Sequence, residues 1–413
     1  MQLRRRILLA SLVGTTIEFF DFYIYATAAA LVFPRLFFPK GDPATALLQS
    51  LATFGLAFLA RPVGSVLFGH FGDRVGRKAT LVTALLTMGI STVCIGLLPT
   101  YATIGAAAAG LLALCRLGQG MGLGGEWGGA VLLATENAPP GRRAWYGSFP
   151  QLGAPIGFLC ATFVFLLMSD TLTEAELFSW GWRVPFLASA VLVLVGLYVR
   201  LQLTETPAFA QSVARGERVR VPFMTVIAEH PRALVLGTLS AMTIYTVFYL
   251  TTVFASGWAT SVLGFDRRHF LLLQSVGVLF FGLTIPLSAI AADRVGERIM
   301  LLAATALTIA YGFAFRPLFG APSTPDVFVF LALGFALSGL AYGPLGSALA
   351  SLFPTAVRYT GASLAFNLAG ILGASLAPPV ATLLAAHHGV AFVGYYLSAI
   401  GFMTLIALAL LKD

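Results

Sequence analysis

Charge is what this sequence of 413 residues has least of. Asp, Glu, Lys and Arg together make up 10% of it, against 58% hydrophobic residues. Soluble domains carry about 25% charged and roughly 45–50% apolar residues, so a water-soluble globular enzyme is excluded. Disorder is excluded too, because burial is ample. Cysteine is also scarce. Cys94, Cys115 and Cys160 each fall inside an apolar run, and they are expected as buried small side chains, with neither a disulfide framework nor metal spacing. The chain lacks a phosphate-binding P-loop, a nucleophile elbow, clustered histidines and cofactor fingerprints. No enzymatic activity, no metal and no cofactor are therefore expected, and ATP hydrolysis within the chain is not an energy source.

What is present is a succession of apolar runs. Twelve spans are predicted, at about 7–34, 47–72, 79–98, 103–135, 144–168, 182–203, 233–262, 269–292, 299–319, 326–351, 360–386 and 391–411; spans of about 20 residues suffice to cross a bilayer. The fold class is therefore an all-α integral membrane protein. The first run follows Arg4–Arg6 but carries Glu18 and Asp21 and has no small-residue cleavage site, so it reads as a retained helix. The net charge of +8 reports topology. Seventeen of the 25 Lys and Arg fall on one side, Arg218 and Lys412 among them, five on the other (Lys40 included), and Arg61, Arg116 and Arg183 within or at the edge of spans. Both termini are accordingly placed in the cytoplasm, and no nucleic-acid partner is implied.

The longest charged stretch, 204–232, divides the chain into an N-terminal half (1–203) and a C-terminal half (233–413), and is read as a cytoplasmic linker. Asp73-Arg74-Val75-Gly76 after span two recurs as Asp293-Arg294-Val295-Gly296 after span eight, offset by 220 residues. Duplicated six-helix halves with a site between them are a common plan of alternating-access carriers. Glycines in the spans, from Gly14, Gly55 and Gly64 to the run Gly118–Gly129, suit close helix packing.

Charged groups inside spans are costly and need a reason. Glu18 and Asp21 reach the middle of span one, on a stripe with Gly14 and Tyr25. Arg61 and Arg116 reach similar depth in spans two and four, and Glu126 lies toward the cytoplasmic end of span four. The arrangement fits a proton relay (Glu18, Asp21, Arg116) beside an anion site, since desolvation and a nearby Arg act oppositely on a buried carboxylate. Arg cannot release a proton but can fork onto a substrate carboxylate. Asp21 is expected to pair with Arg116 and Glu18 to carry the proton. The second half offers only neutral candidates: Tyr245, Tyr249, Gln274, Tyr311, Tyr342 and Asn367.

These residues sit in motifs that resemble the metabolite:H+ symporter branch of the major facilitator superfamily. They include Gly14–Tyr23, Arg61-Pro62-Val63-Gly64 leading into Gly69–Lys78, Arg116–Gly120, Gly124–Ala130, Tyr146–Gln151, Gly181–Phe186, Glu205-Thr206-Pro207 and Phe353–Ser363. The resemblance implies the twelve-helix major facilitator fold in a bacterial inner membrane, with proton as the coupling ion and proton-driven uptake of a small metabolite. A monomer is expected. The resemblance further implies that Gly69, Asp73, Arg74, Gly76, Arg77 and Lys78, echoed by Asp293 and Arg294, form a cytoplasmic gating motif. Arg61, Arg116, Tyr25, Gln119, Gln151, Tyr245, Tyr249, Tyr342 and Asn367 are the substrate-binding candidates. Two positions depart from the family's pattern: Glu297 stands where a basic residue is common, and Ser351-Leu352 where an acid often precedes Phe353-Pro354. The two arginines favour an anionic group and the scarcity of cations in the second half favours one carboxylate; a hydroxylated, shikimate-like monocarboxylate fits the tyrosines, with a dicarboxylate next. A zwitterionic osmolyte is the alternative, held by an acid and aromatic faces. Drug/H+ antiport, suggested only by Gly153-Ala154-Pro155-Ile156-Gly157, ranks below both.

Overall fold

The computed structural model describes residues 2–39, 43–217 and 219–411. Lys40, Arg218 and Lys412, counted above in the charge asymmetry, lie outside the described residues. Among those described the chain is helical, with no strand. Twelve long helical segments carry it back and forth: α1 (Gln2–Leu31), α2 (Pro43–Arg74), α3 (Arg77–Leu97), α4 (Ala107–Glu136), α5 (Arg143–Thr171) and α6 (Arg183–Leu201). The remaining six are α7 (Pro231–Ser261), α8 (Arg267–Val295), α9 (Glu297–Gly312), α10 (Thr324–Ser351), α11 (Thr355–His388) and α12 (Val390–Leu410). Each coincides with one predicted span. Ten are long and apolar enough to cross a membrane. In α4 eight glycines, Arg116 and Glu126 dilute the apolar content, and α9 has only 16 residues.

Leucines, isoleucines and phenylalanines such as Leu114, Phe163, Leu194, Leu283 and Ile406 point outward and are exposed, which an apolar surround makes favourable rather than costly. Cys94 and Cys160 belong to this outer surface, not to the interior as expected, while Cys115 is half-buried; all three are free thiols.

Irregularities fall at defined places. A π-helical turn, Leu250–Phe254, interrupts α7, and another, Ile371–Ser375, interrupts α11 just before Pro378 and Pro379. The carbonyls of Thr251 and Thr252 in the first accept hydrogen bonds from Gln274 Nε2 of α8 at 2.9 and 2.8 Å. Gln274 is thus a structural clamp. Tyr311, another of the neutral candidates, is likewise spent, donating to the Phe330 carbonyl at 2.8 Å.

Helices α2 and α4 touch through glycine. A Cβ at Gly124 would collide with the carbonyl of Arg61, and one at Gly64 with the backbone of Met121; the backbones approach because neither residue has a side chain. Gly55, by contrast, has nothing near it and takes no part in this packing. The 204–232 stretch forms two short helices, Pro207–Ala214 and Pro222–Glu229, each opened by proline. They dock on the bundle, with Phe209 under the Arg77 guanidinium at 4.9 Å and Val226 fully buried.

Candidate functional site: a closed cavity between two clasped halves

At the end of the bundle that the charge asymmetry marks as cytoplasmic, the repeated motif joins the halves. Asp73, at the end of α2, accepts from the backbone N–H groups of Tyr359 (3.1 Å) and Thr360 (2.9 Å) and from the Thr360 hydroxyl (2.8 Å). It thereby satisfies amides in the first turn of α11, which have no partner within their own helix. Its counterpart Asp293, at the end of α8, accepts from the N–H groups of Ala144 (2.9 Å) and Trp145 (3.0 Å) at the start of α5. Each motif thus caps a helix of the opposite half.

The first copy is the richer. Arg77, fully buried, bonds Asp73 at 3.2 Å, the Gly72 carbonyl at 2.5 Å and the Thr355 carbonyl at 3.2 Å, and lies 3.6 Å from Glu136. Glu136 also meets Arg358 at 3.4 Å. Gly76, with φ of +135°, leaves the start of α3 without a side-chain cap, and Glu205 supplies one, accepting from the N–H groups of Arg77 and Lys78 at 3.1 and 3.3 Å. Lys78 Nζ reaches the Leu201 carbonyl at 2.7 Å. Gly69 lets Thr360 approach α2. Arg74 contacts only His70, at 3.5 Å, and Arg294 is exposed.

Above the clasp lies a cavity lined by residues of both halves. Glu18, Phe19, Tyr23, Arg61, Leu123, Trp127 and Ala154 line it from the first half; Ile244, Tyr245, Phe248, Tyr249, Phe281, Tyr342, Phe366 and Asn367 line it from the second. Both its charged residues come from the first half. Glu18 is 2% exposed and its Oε2 has no donor; Arg61 is 4% exposed and its Nε has no acceptor. No ion pair joins them. The Arg61 guanidinium instead lies over the rings of Phe22 (5.0 Å) and Phe58 (4.8 Å), contacts that favour a cation in a dry place. Phe58 in turn meets Tyr249 of the second half, ring centroids 5.6 Å apart.

Of the nine substrate-facing candidates, the cavity receives Arg61, Tyr245, Tyr249, Tyr342 and Asn367. The Asn367 Nδ2 is already committed to Ser65 Oγ and the carbonyls of Gly124 and Ser363. The other four lie elsewhere. Tyr25 bonds Thr53 at 2.7 Å, and Gln151 bridges the Trp127 indole and the Tyr342 carbonyl. Gln119 and Arg116 belong to a second polar group.

That group corrects the expected Asp21–Arg116 pair. Both oxygens of Asp21 accept from Ser189 Oγ of α6, at 2.7 and 2.8 Å. Arg116 donates to Gln119 Oε1, one turn further along α4, at 3.0 Å, and Gln119 donates onward to Thr92 at 2.7 Å. The guanidinium lies flat over Tyr25 at 4.0 Å, with Phe22 and Phe54 each at 4.9 Å. Asp21 and Arg116 border one small void without touching as ions. The aromatic faces and Gln119 have taken the place of a counter-ion.

Glu126 is paired, but with a residue that sequence reasoning assigned only to topology: Arg200, at the end of α6. Arg200 also donates to the Leu81 carbonyl at 2.6 Å, and Gly14 leaves the room its guanidinium occupies. Glu126, Arg61 and Arg200 are the charges that act on Glu18. Sequence reasoning likewise missed Ser189, Glu136 and the ring wall of Trp127, Phe248, Phe281 and Phe366. In a chain with 34 phenylalanines nothing singles these rings out.

Comparison with known proteins agrees with this architecture. Residues 7–221 match the family model described as sugar (and other) transporter. The chain is 57% identical over 415 residues to the inner membrane metabolite transport protein YhjE of Escherichia coli K12, covering 99% of this chain and 94% of that protein. It is 36% identical to the shikimate transporter of the same organism, again over 99% and 94% of the two chains. The proton:xylose symporter XylE bound to 6-bromo-6-deoxy-D-glucose shares the fold, with a TM-score of 0.81 at 17% identity over 98% of this chain and 95% of that one. The chain shares the major facilitator fold and belongs to the sugar (and other) transporter family; it is a multi-pass membrane transporter of small solutes, not an enzyme.

Proposed function

We propose that this carrier resides in the bacterial inner membrane and takes up a small carboxylate-bearing metabolite together with a proton. The observation that carries the reading is the pair left unmade in the cavity. A buried cation and a buried carboxylate line the same enclosed space without meeting, each with an unsatisfied atom. Unpaired buried charge is costly. A substrate carboxylate on Arg61 and a proton on Glu18 remove both costs at once, so the cavity favours solute and proton together. The two six-helix halves, joined by the 204–232 segment, then rock about the site, and the Asp73 and Asp293 clasps open to release both to the cytoplasm. A ligand shifts such an equilibrium only through its differential affinity for the two states. The inner-membrane setting and the metabolite class are those in the names of the relatives above.

The test is proton flux into proteoliposomes challenged with shikimate, 2-oxoglutarate, citrate, proline and glycine betaine. External alkalinisation on adding a carboxylate, absent in Glu18→Gln and in Arg61→Gln, is expected. Proton-driven uptake that persists in Glu18→Gln would remove Glu18 from the mechanism. A response to betaine alone would replace the carboxylate with a zwitterion.

A further inference from the structure

We infer that the solute is a monocarboxylate with a flat aromatic ring, in preference to a polyhydroxylated ring or a dicarboxylate. This rests on the carboxylate reading above and narrows it. Arg61 is the one cation on the wall, which matches one carboxylate. Nine of the fifteen lining residues are aromatic. Four of these rings form a run: Trp127 and Phe366 lie parallel at 3.6 Å and 4°, Phe366 and Tyr342 at 24°, and Tyr342 and Phe281 at 25°. The run crosses from one half to the other, and all four rings line the cavity.

The polar groups beside the cavity point the same way. Hydroxyl-rich solutes are recognised by amide and carboxylate groups free to bond them, whereas apolar pockets use a few placed polar atoms. Here the Trp127 indole N–H is spent on Gln151, the Gln151 amide on the Tyr342 carbonyl, and the Asn367 amide on three protein acceptors. A ring face meets aromatic faces, the carboxylate meets Arg61, and the Tyr245 hydroxyl, buried without a partner, can answer a single ring hydroxyl.

Calorimetric titration of the purified carrier in nanodiscs tests this, because binding is read without interference from weak acids that cross bilayers unaided. The ligands are benzoate, 4-hydroxybenzoate, cyclohexanecarboxylate, shikimate, 2-oxoglutarate and glycine betaine. Benzoate and 4-hydroxybenzoate should bind about tenfold more tightly than cyclohexanecarboxylate or shikimate, and Phe366→Leu should weaken the aromatic acids by ~2–10-fold, the scale of one ring–ring contact. Arg61→Gln should abolish binding of every acid. Shikimate or 2-oxoglutarate binding more tightly than benzoate would overturn the ring inference and leave the carboxylate reading in place. Binding of betaine alone, of nothing in the set, or of benzoate undiminished in Arg61→Gln would overturn both.

Discussion

Replacing Asp73 by Asn should open the cytoplasmic side. The carboxylate holds three donors of α11 together with Arg77. In Asn one oxygen becomes an NH2 facing groups that are themselves donors. Hydrogen bonds to a charged group contribute about 1.5–3 kcal/mol each, against roughly 0.5–1.5 for neutral ones. Two such bonds at Oδ2 are lost and the remaining ones are weakened. In the open state water satisfies the α11 amides in either variant, so the loss falls on the closed state. A net shift of about 3 kcal/mol is a factor of ~100 in the closed–open equilibrium. The assay is labelling by a membrane-impermeant maleimide, from the cytoplasmic side, of a cysteine introduced as Ser363→Cys after Cys94, Cys115 and Cys160 are changed to Ser. Ser363 is fully buried at the interface, beside Gly128. Labelling should quicken about a hundredfold in Asp73→Asn. Asp293→Asn, which loses one of two backbone donors and among the described residues has no arginine paired with it, should give about tenfold. Unchanged labelling in Asp73→Asn would refute the clasp.

Arg200→Gln strands the Glu126 carboxylate in a buried site and should cost ~3–5 kcal/mol, seen as a lower melting midpoint in detergent; adding Glu126→Gln should restore most of it, and a double variant no better than the single one would sink the pairing argument. Gly124→Val puts a side chain against the Arg61 carbonyl; size-exclusion chromatography should find aggregate, and a monodisperse, active protein would mean that α2 and α4 separate freely. Glu297→Arg with Ser351→Glu installs in the second clasp the charges that Arg77 and Glu136 give the first. By the offsets of 220 and 215 residues these positions correspond, and Arg143 corresponds to Arg358. Labelling of the Ser363→Cys reporter should slow by ~5-fold, the scale of one partly exposed ion pair, and faster labelling would show the two clasps are not equivalent in geometry.

The fold was legible because a bilayer leaves few options: twelve apolar runs became twelve helices, and the recurring Asp-Arg-Val-Gly marked the joints between halves. The breaks inside helices were not legible. The turn at Leu250–Phe254 is stabilised by Gln274 from another helix, which no local pattern records. The acidic stripe was half legible. Residues three apart on a helix differ by 300° in direction, so Asp21 points about 60° away from Glu18. That is enough to turn it from the cavity toward Ser189 of α6. Arg200 was hidden by position: in the last turn of a span it reads as an interfacial positive charge, and only Gly14 on a neighbouring helix lets it reach Glu126.

The charges divide into two sets with different consequences. Those of the clasp are satisfied by backbone amides at helix starts, which water can satisfy as well, so opening exchanges partners and needs only a few kcal/mol. Those of the cavity are each left with one unsatisfied atom, Glu18 Oε2 and Arg61 Nε. With the clasp closed neither of these atoms has a partner, and each can gain one from what enters. A carrier built this way moves readily when its cavity charges are both answered or both hydrated, and resists closing over one answered alone. On the proposed function, coupling of solute to proton then needs no direct contact between them. It follows from the cost of enclosing either the bare carboxylate or the bare guanidinium between rings.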